Sequence, residues 1–172
     1  MKDPMTLSIY DLTVPVLKRG LTNLSAHLKK AEASAEDRKI DPSVFLAARL
    51  APDMHPLSRQ VQIASDGAKG GVARLTATDA PSFPDTETTF AELHERIAKT
   101  VAYLDTLKPE QFDGAQTREI VLKTPMGDFP FTGQSFALTF MLPNFFFHLT
   151  TAYNILRHNG VSIGKMDFIG GA

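Results

Sequence analysis

Cysteine and tryptophan are absent from this 172-residue chain. Without cysteine there can be no disulfide, no thiol nucleophile and no thiolate metal ligand. That composition fits a reducing compartment, and a cytoplasmic location is the expectation. Net charge is scarce as well, since 18 Lys and Arg face 19 Asp and Glu for a formal charge of -1. No basic stripe is available to neutralise phosphates, which argues against nucleic acid and against a membrane surface as partners. Residues 1–8 lack the basic segment and apolar run of a secretory leader. The longest apolar stretch, 136–147, is interrupted by Thr139, Pro143 and Asn144 and is too short to span a bilayer. No G-x-S-x-G or H-E-x-x-H motif occurs, and Gly67, Gly70 and Gly71 follow no strand, so no phosphate-cradling loop is expected.

What is present suits one globular domain spanning residues 1–172. The hydrophobic fraction of 43% and charged fraction of 22% are ordinary, and a chain of this length hides roughly two thirds of its unfolded surface on folding.

Four segments carry helical periodicity. The first covers 8–35: Ser8 and Asp11 have capping-box spacing, and Leu17, Leu21, Leu24, Leu28 and Ala31 share a face, with a kink possible at Pro15. The second starts at Asp41-Pro42, and its stripe runs through Leu50, Met54, Leu57, Val61, Ala64, Ala68, Val72 and Leu75. Pro52 and Pro56 predict a kink or short break within it, or two helices end to end. Residues 76–88 read as a loop. The third helix carries Phe90, Leu93, Ile97, Val101 and Leu104, capped by Thr88 or Thr89. Residues 118–131 are rich in β-formers around Thr124-Pro125-Met126-Gly127, which predicts a small hairpin with Pro130 on an edge strand. The fourth helix covers 133–159, with a kink at Pro143 and a stop at Gly160, and the tail 161–172 reads as irregular. The expected fold is all-α: a four-helix bundle with a small β-hairpin insertion before the last helix.

Two segments carry a family resemblance: RLAPDMHPLSRQVQIAS at 49–65 and PNFFFHLTTAYNILRHNGVSIGKMDFIG at 143–170. Together they resemble a family of unknown function within the DinB/YfiT-like superfamily of metal-dependent bundle proteins, over nearly the whole chain. The resemblance implies a DinB-like four-helix bundle with a long crossover, and often a homodimer. It implies, for many members, a divalent metal held by one histidine of the second helix and an HxxxH pair of the fourth; in this chain a neutral imidazole with oxygen ligands would suit Zn, Ni or Fe. Some members transfer low-molecular-weight thiols. Here the second histidine of the pair matches His148, whereas Asn144 stands at the first position, so the motif reads NxxxH.

Helical geometry gives its own view of the site. At about 100° per residue, His148 falls roughly 70° from the centre of its stripe, and Asn144 lies one turn earlier on that flank. Asp53 and Gln60, seven apart, share an edge of the second helix, while His55 projects away and is a weaker candidate ligand. An Asp53–His148 pair across helices is chemically sensible, because a carboxylate fixes an imidazole tautomer and raises its basicity. The candidate pocket is therefore Asp53, Gln60, Asn144 and His148, with a hydroxyl available from Tyr153; His148 and Asp53 are the candidate metal ligands, and a small molecule is the other candidate occupant. The structural alternatives stand beside it: His148 as a satisfied boundary histidine, Asp53 as a cap after Pro52, Gln60, Arg59 and Asp66 as surface or boundary polar groups, and Tyr153 as an amphipathic boundary residue. His27 and His94 read as structural and His158 as solvated. Phe145, Phe146 and Phe147 fan over about 200° of helix, so one face packs under the hairpin or forms a subunit interface. The competing function is a dimeric, non-catalytic scaffold or binding module that keeps the fold without the metal.

Overall fold

The computed structural model describes residues 7–170; residues 1–6, including most of the stretch read for a leader, lie outside the described residues. Helix α1 (Ile9–Asp37) begins with the expected capping box, as Ser8 Oγ accepts from the Asp11 N–H at 3.1 Å and Asp11 Oδ2 accepts from the Ser8 N–H at 3.3 Å. Leu17, Leu21, Leu24, Leu28 and Ala31 are fully buried along one face, and Pro15 lies inside the helix.

The second predicted helix divides. Helix α2 (Pro42–Ala47) is capped by Asp41, whose Oδ1 accepts from the Ser43 N–H at 2.8 Å. Helix α3 (Leu57–Thr76) begins only after Pro56. Residues 48–56 between them form an irregular turn, braced by Arg49 Nη1 donating to the Met54 carbonyl at 3.2 Å and by the Leu57 N–H donating to the Ala48 carbonyl at 2.9 Å. The two prolines account for the break, since neither offers an N–H and each biases its predecessor away from helical angles. Leu50 is consequently exposed rather than part of the core stripe.

Helix α4 (Phe90–Thr106) carries a Thr89–Glu92 capping box. Two short 3₁₀ turns, Pro109–Phe112 and Ala115–Thr117, lead into β1 (Glu119–Thr124) and β2 (Gly127–Thr132). The strands pair antiparallel from Glu119↔Thr132 to Thr124↔Gly127, with Val121 opposite Pro130. Helix α5 (Gly133–Ser135) passes through a π-helical stretch, Phe136–Met141, into α6 (Leu142–His158). The Leu142 N–H reaches back five residues to the Ala137 carbonyl. This widened turn falls immediately before Pro143, where a regular ladder would set the ring against the Thr139 carbonyl. The tail is more ordered than its glycines predict: α7 (Lys165–Ile169) docks on α1, where Asn23 Nδ2 donates to the Phe168 carbonyl at 2.9 Å and Lys30 pairs with Asp167 at 2.6 Å.

The bundle is α1, α3, α4 and α6, with α1 and α3 each packed against both α4 and α6. α3 and α6 run antiparallel, since Gln60 meets His148, Gly67 faces Asn144 and Gly71 faces Met141. At Gly71 even a Cβ would collide with the Met141 side chain, so glycine sets the closeness of the two helices. The hairpin covers the π-helical stretch before α6 through Phe131, whose ring meets Phe136 at 5.8 Å and Phe140 at 5.9 Å. Those rings, rather than the Phe145–Phe147 run, pack beneath it. Among the described residues no helix is long and apolar enough to cross a membrane.

Candidate functional site

His148 is buried on the α3 side of α6, with 9% of its surface exposed, and its Nδ1 lies 2.7 Å from Gln60 Oε1. Gln60 is itself 2% exposed, and its Nε2 donates to the His55 carbonyl at 3.0 Å. These two contacts fix each other. A carbonyl can only accept, so the Gln60 NH₂ must face His55 and its oxygen must face the ring. The imidazole then donates from Nδ1–H, which leaves the Nε2 lone pair bare. That nitrogen carries no hydrogen bond among the described residues, yet it is not among the atoms sealed from solvent. Burial, followed by the nearby His55 and Arg59, holds the His148 pKa below its ordinary value of 6.5. Above pH 6.5 this arrangement favours a neutral imidazole with its proton on Nδ1.

The other expected residues are placed differently. Asn144 is half-buried one turn before His148, 3.5 Å from where a Cβ on Gly67 would stand, so it lines the same α3–α6 seam. Asp53 is exposed in the 48–56 turn, and no hydrogen bond or ion pair joins it to His148 among the described residues. The break before α3 removes the helical register that put Asp53 in line with Gln60. Asp53 does not cap α3 either; the N-cap is Pro56, with no side-chain bond. Tyr153 packs on the α1–α7 side, edge-on to His27 at 5.7 Å and to Phe168 at 5.7 Å. It lies five residues beyond His148, about 140° round the helix. His55 is exposed but close enough to act electrostatically on His148. His158 is exposed and His27 buried. His94 Nδ1 lies 2.8 Å from Ser25 Oγ.

Among the described residues no group of three or more His, Asp or Glu side chains gathers as a metal-binding set. The donors in the α3–α6 seam are one imidazole and two neutral amides, Gln60 and Asn144. This set does not fit the three-histidine site of the superfamily.

A second polar cluster went unrecognised in the sequence. Arg96, on α4, has 1% of its side chain exposed and contacts Asp66 at 2.7 Å, Asp85 at 2.9 Å and Glu87 at 2.9 Å. Lys69 pairs with Asp66 at 2.9 Å, Arg59 pairs with Asp85, and Gln62 Nε2 donates to Glu87 at 2.9 Å. Burial opposes the Arg96 charge, but the bonds from Glu87 and Asp66 outweigh it and raise its pKa further. The cluster fastens loop 77–89 across α3 and α4 and, through Asp85, anchors Arg59 beside the histidine. A signal was available: Arg96 falls three residues after Leu93 and four before Thr100, on the buried side of α4, where an arginine requires partners.

This arrangement is a DinB-like four-helix bundle carrying one polar pair between its second and fourth long helices. A crystal structure described as a DinB family member protein from Shewanella denitrificans is 49% identical to the chain, with a TM-score of 0.89, covering 95% of this chain and 92% of that one. The family model of DUF1993, a domain of unknown function, matches residues 9–169. The chain belongs to that family. No curated protein matches it.

Proposed function

We propose that the α3–α6 seam is a small-ligand site in which His148 supplies the recognising atom, Nε2, as a hydrogen-bond acceptor or base. The observation that carries this reading is the His55 carbonyl–Gln60–His148 chain. A histidine with only a packing role needs no particular tautomer, whereas a recognising one does. Asn144, one turn away, adds an amide that can donate or accept. Cytoplasmic residence belongs to this reading and accords with the cysteine-free chain.

The reading is tested by screening ¹⁵N-labelled protein against small hydrogen-bond donors and against Zn²⁺, Ni²⁺ and Fe²⁺, following the His148 ring. Saturable perturbation by a small molecule, abolished in His148→Gln, supports it. A ring that responds only to a metal shifts the assignment to metal binding, and a ring that responds to nothing removes the site.

A dimeric scaffold is the second reading. Phe147 is 56% exposed and Phe146 36%, on the turn of α6 that carries His148. Exposed aromatics grouped in this way suit a homodimer contact. Sedimentation at micromolar concentration, with Phe147→Ser as the comparison, tests it; a monomer in both proteins ends this reading.

A further inference from the structure

We infer that the outer edge of β1 is a self-association surface, to which a second copy of this chain adds its own β1 antiparallel, joining the two hairpins into one continuous sheet. The inference is independent of the small-ligand site, and it puts the contact on the hairpin rather than on the Phe146–Phe147 turn. Main-chain geometry decides which groups are free. The Gly133 N–H donates to the Arg118 carbonyl at 2.8 Å, in the same register that sets Glu119 opposite Thr132. Antiparallel ladders alternate between bonded and unbonded pairs. Ile120 and Leu122 therefore bond inward to β2, while Glu119, Val121 and Lys123 turn their N–H and C=O groups outward.

The two edges of the hairpin differ. On β2 the outward positions include Pro130, directly opposite Val121, which has no N–H to give. β1 holds no proline, and among the described residues no strand lies on its outer side. Glu119, Val121 and Lys123 make no main-chain bond outside the hairpin among the described residues. All three are exposed, Val121 to 50%. Unpaired edge groups of this kind are a template for another strand.

Charge complementarity selects a second copy as that strand. The segment Glu119-Ile120-Val121-Leu122-Lys123 carries opposite charges placed symmetrically about Val121. A two-fold axis at Val121 sets this residue against its own copy, and sets Glu119 against Lys123 of the partner subunit on the same exposed face. The same register brings the outward-facing residues directly opposite one another, where each pair exchanges both main-chain bonds. Ladder bonding and ion pairing thus require one and the same alignment. On the other face Leu122, half-buried in the single chain, meets Ile120 of the partner subunit. A slip of one residue sets outward groups against inward ones and loses the ladder. Because Pro130 interrupts the β2 edge, assembly stops at the dimer.

Sedimentation of the full chain from micromolar to millimolar concentration is expected to show a monomer–dimer equilibrium. Glu119→Lys and Lys123→Glu each place like charges at both ends of the paired segment, and each should weaken association roughly tenfold or more. An equimolar mixture of those two variants restores both ion pairs and should dimerise as the native chain does, which separates charge pairing from damage to the hairpin. Val121→Pro should abolish association with little change in circular dichroism, since proline already stands at the outward position opposite. A native chain that is monomeric throughout this range, or one that grows into larger assemblies, overturns the inference. So does a mixture that associates no better than its components, or a dimer that dissociates in Phe147→Ser but not in the β1 variants. The mixing result decides the matter even if Val121→Pro fails to fold.

Discussion

Gln60 accepts from His148 Nδ1 across 2.7 Å while donating to the His55 carbonyl across 3.0 Å. A neutral amide thus sets the protonation pattern of a histidine on another helix, using a main-chain carbonyl as its reference. Replacing Gln60 with Leu leaves the Nδ1–H and that carbonyl without partners. Orphaning a buried polar group costs about 1–3 kcal/mol, so urea unfolding should show a loss of that order. Gln60→Glu should instead raise the His148 pKa above its value in the native chain, because the ring gains a negative acceptor; a ring titration followed by NMR reads this directly.

Acid should destabilise the fold in a window set by histidines. His27, His94 and His148 all have pKa values held below 6.5, with burial the largest cause for each. The unfolded chain therefore binds more protons than the folded one, and stability must rise with pH across this range. The contribution is complete above about pH 6.5 and is lost as pH falls through the folded-state values. The depressed carboxylates Asp41, Glu92 and Asp167 act lower, below their ordinary 3.8 to 4.5. Denaturant midpoints at pH 7.5, 6.5 and 5.5 should decrease in that order, and the fall between 6.5 and 5.5 should shrink in His27→Phe. Midpoints that stay level over this range would contradict the assignment.

Arg96 is the charge whose removal should matter most. Arg96→Leu leaves Asp66, Asp85 and Glu87 facing one another without their shared cation. Asp66 and Asp85 are each 38% exposed and keep Lys69 and Arg59, so the group most nearly orphaned is the 10% exposed Glu87; leaving one such group short of a partner costs about 1–3 kcal/mol, and chemical denaturation should show a loss in that range. Hydrogen exchange should rise along residues 77–89 more than in α1, because the arginine also holds the Pro84 carbonyl at 3.1 Å.

Two glycines should differ in their response to alanine. At Gly71 the new Cβ meets the buried Met141 side chain, which can yield only by changing rotamer within its packing, whereas at Gly133 it meets the Ala115 main-chain carbonyl, which has no rotamer to change. Overpacking costs about 1–3 kcal/mol, occasionally more. Thermal unfolding should place Gly133→Ala well below Gly71→Ala.

These residues also show what a sequence discloses. The stripes of α1 and α4 and the 119–132 hairpin were readable because local spacing reports a buried face directly. Asp53 was misplaced because an apolar stripe continues numerically through Pro52 and Pro56 although the backbone does not, and nine irregular residues destroy any angular relation to Gln60. Gln60 looked like a boundary residue because its two partners lie 88 positions away and on a main-chain carbonyl, neither of which leaves a trace in local spacing. Arg96 was overlooked because its carboxylates come mostly from a loop. The α7 helix was missed because a five-residue helix is held by contacts to α1 rather than by periodicity of its own.

The most direct measurement is a long-range ¹H–¹⁵N spectrum of the His148 ring at pH 7. The account predicts a neutral ring with its proton on Nδ1 and an unprotonated Nε2, a pattern lost in Gln60→Leu. A ring carrying its proton on Nε2, or an imidazolium at that pH, would contradict it.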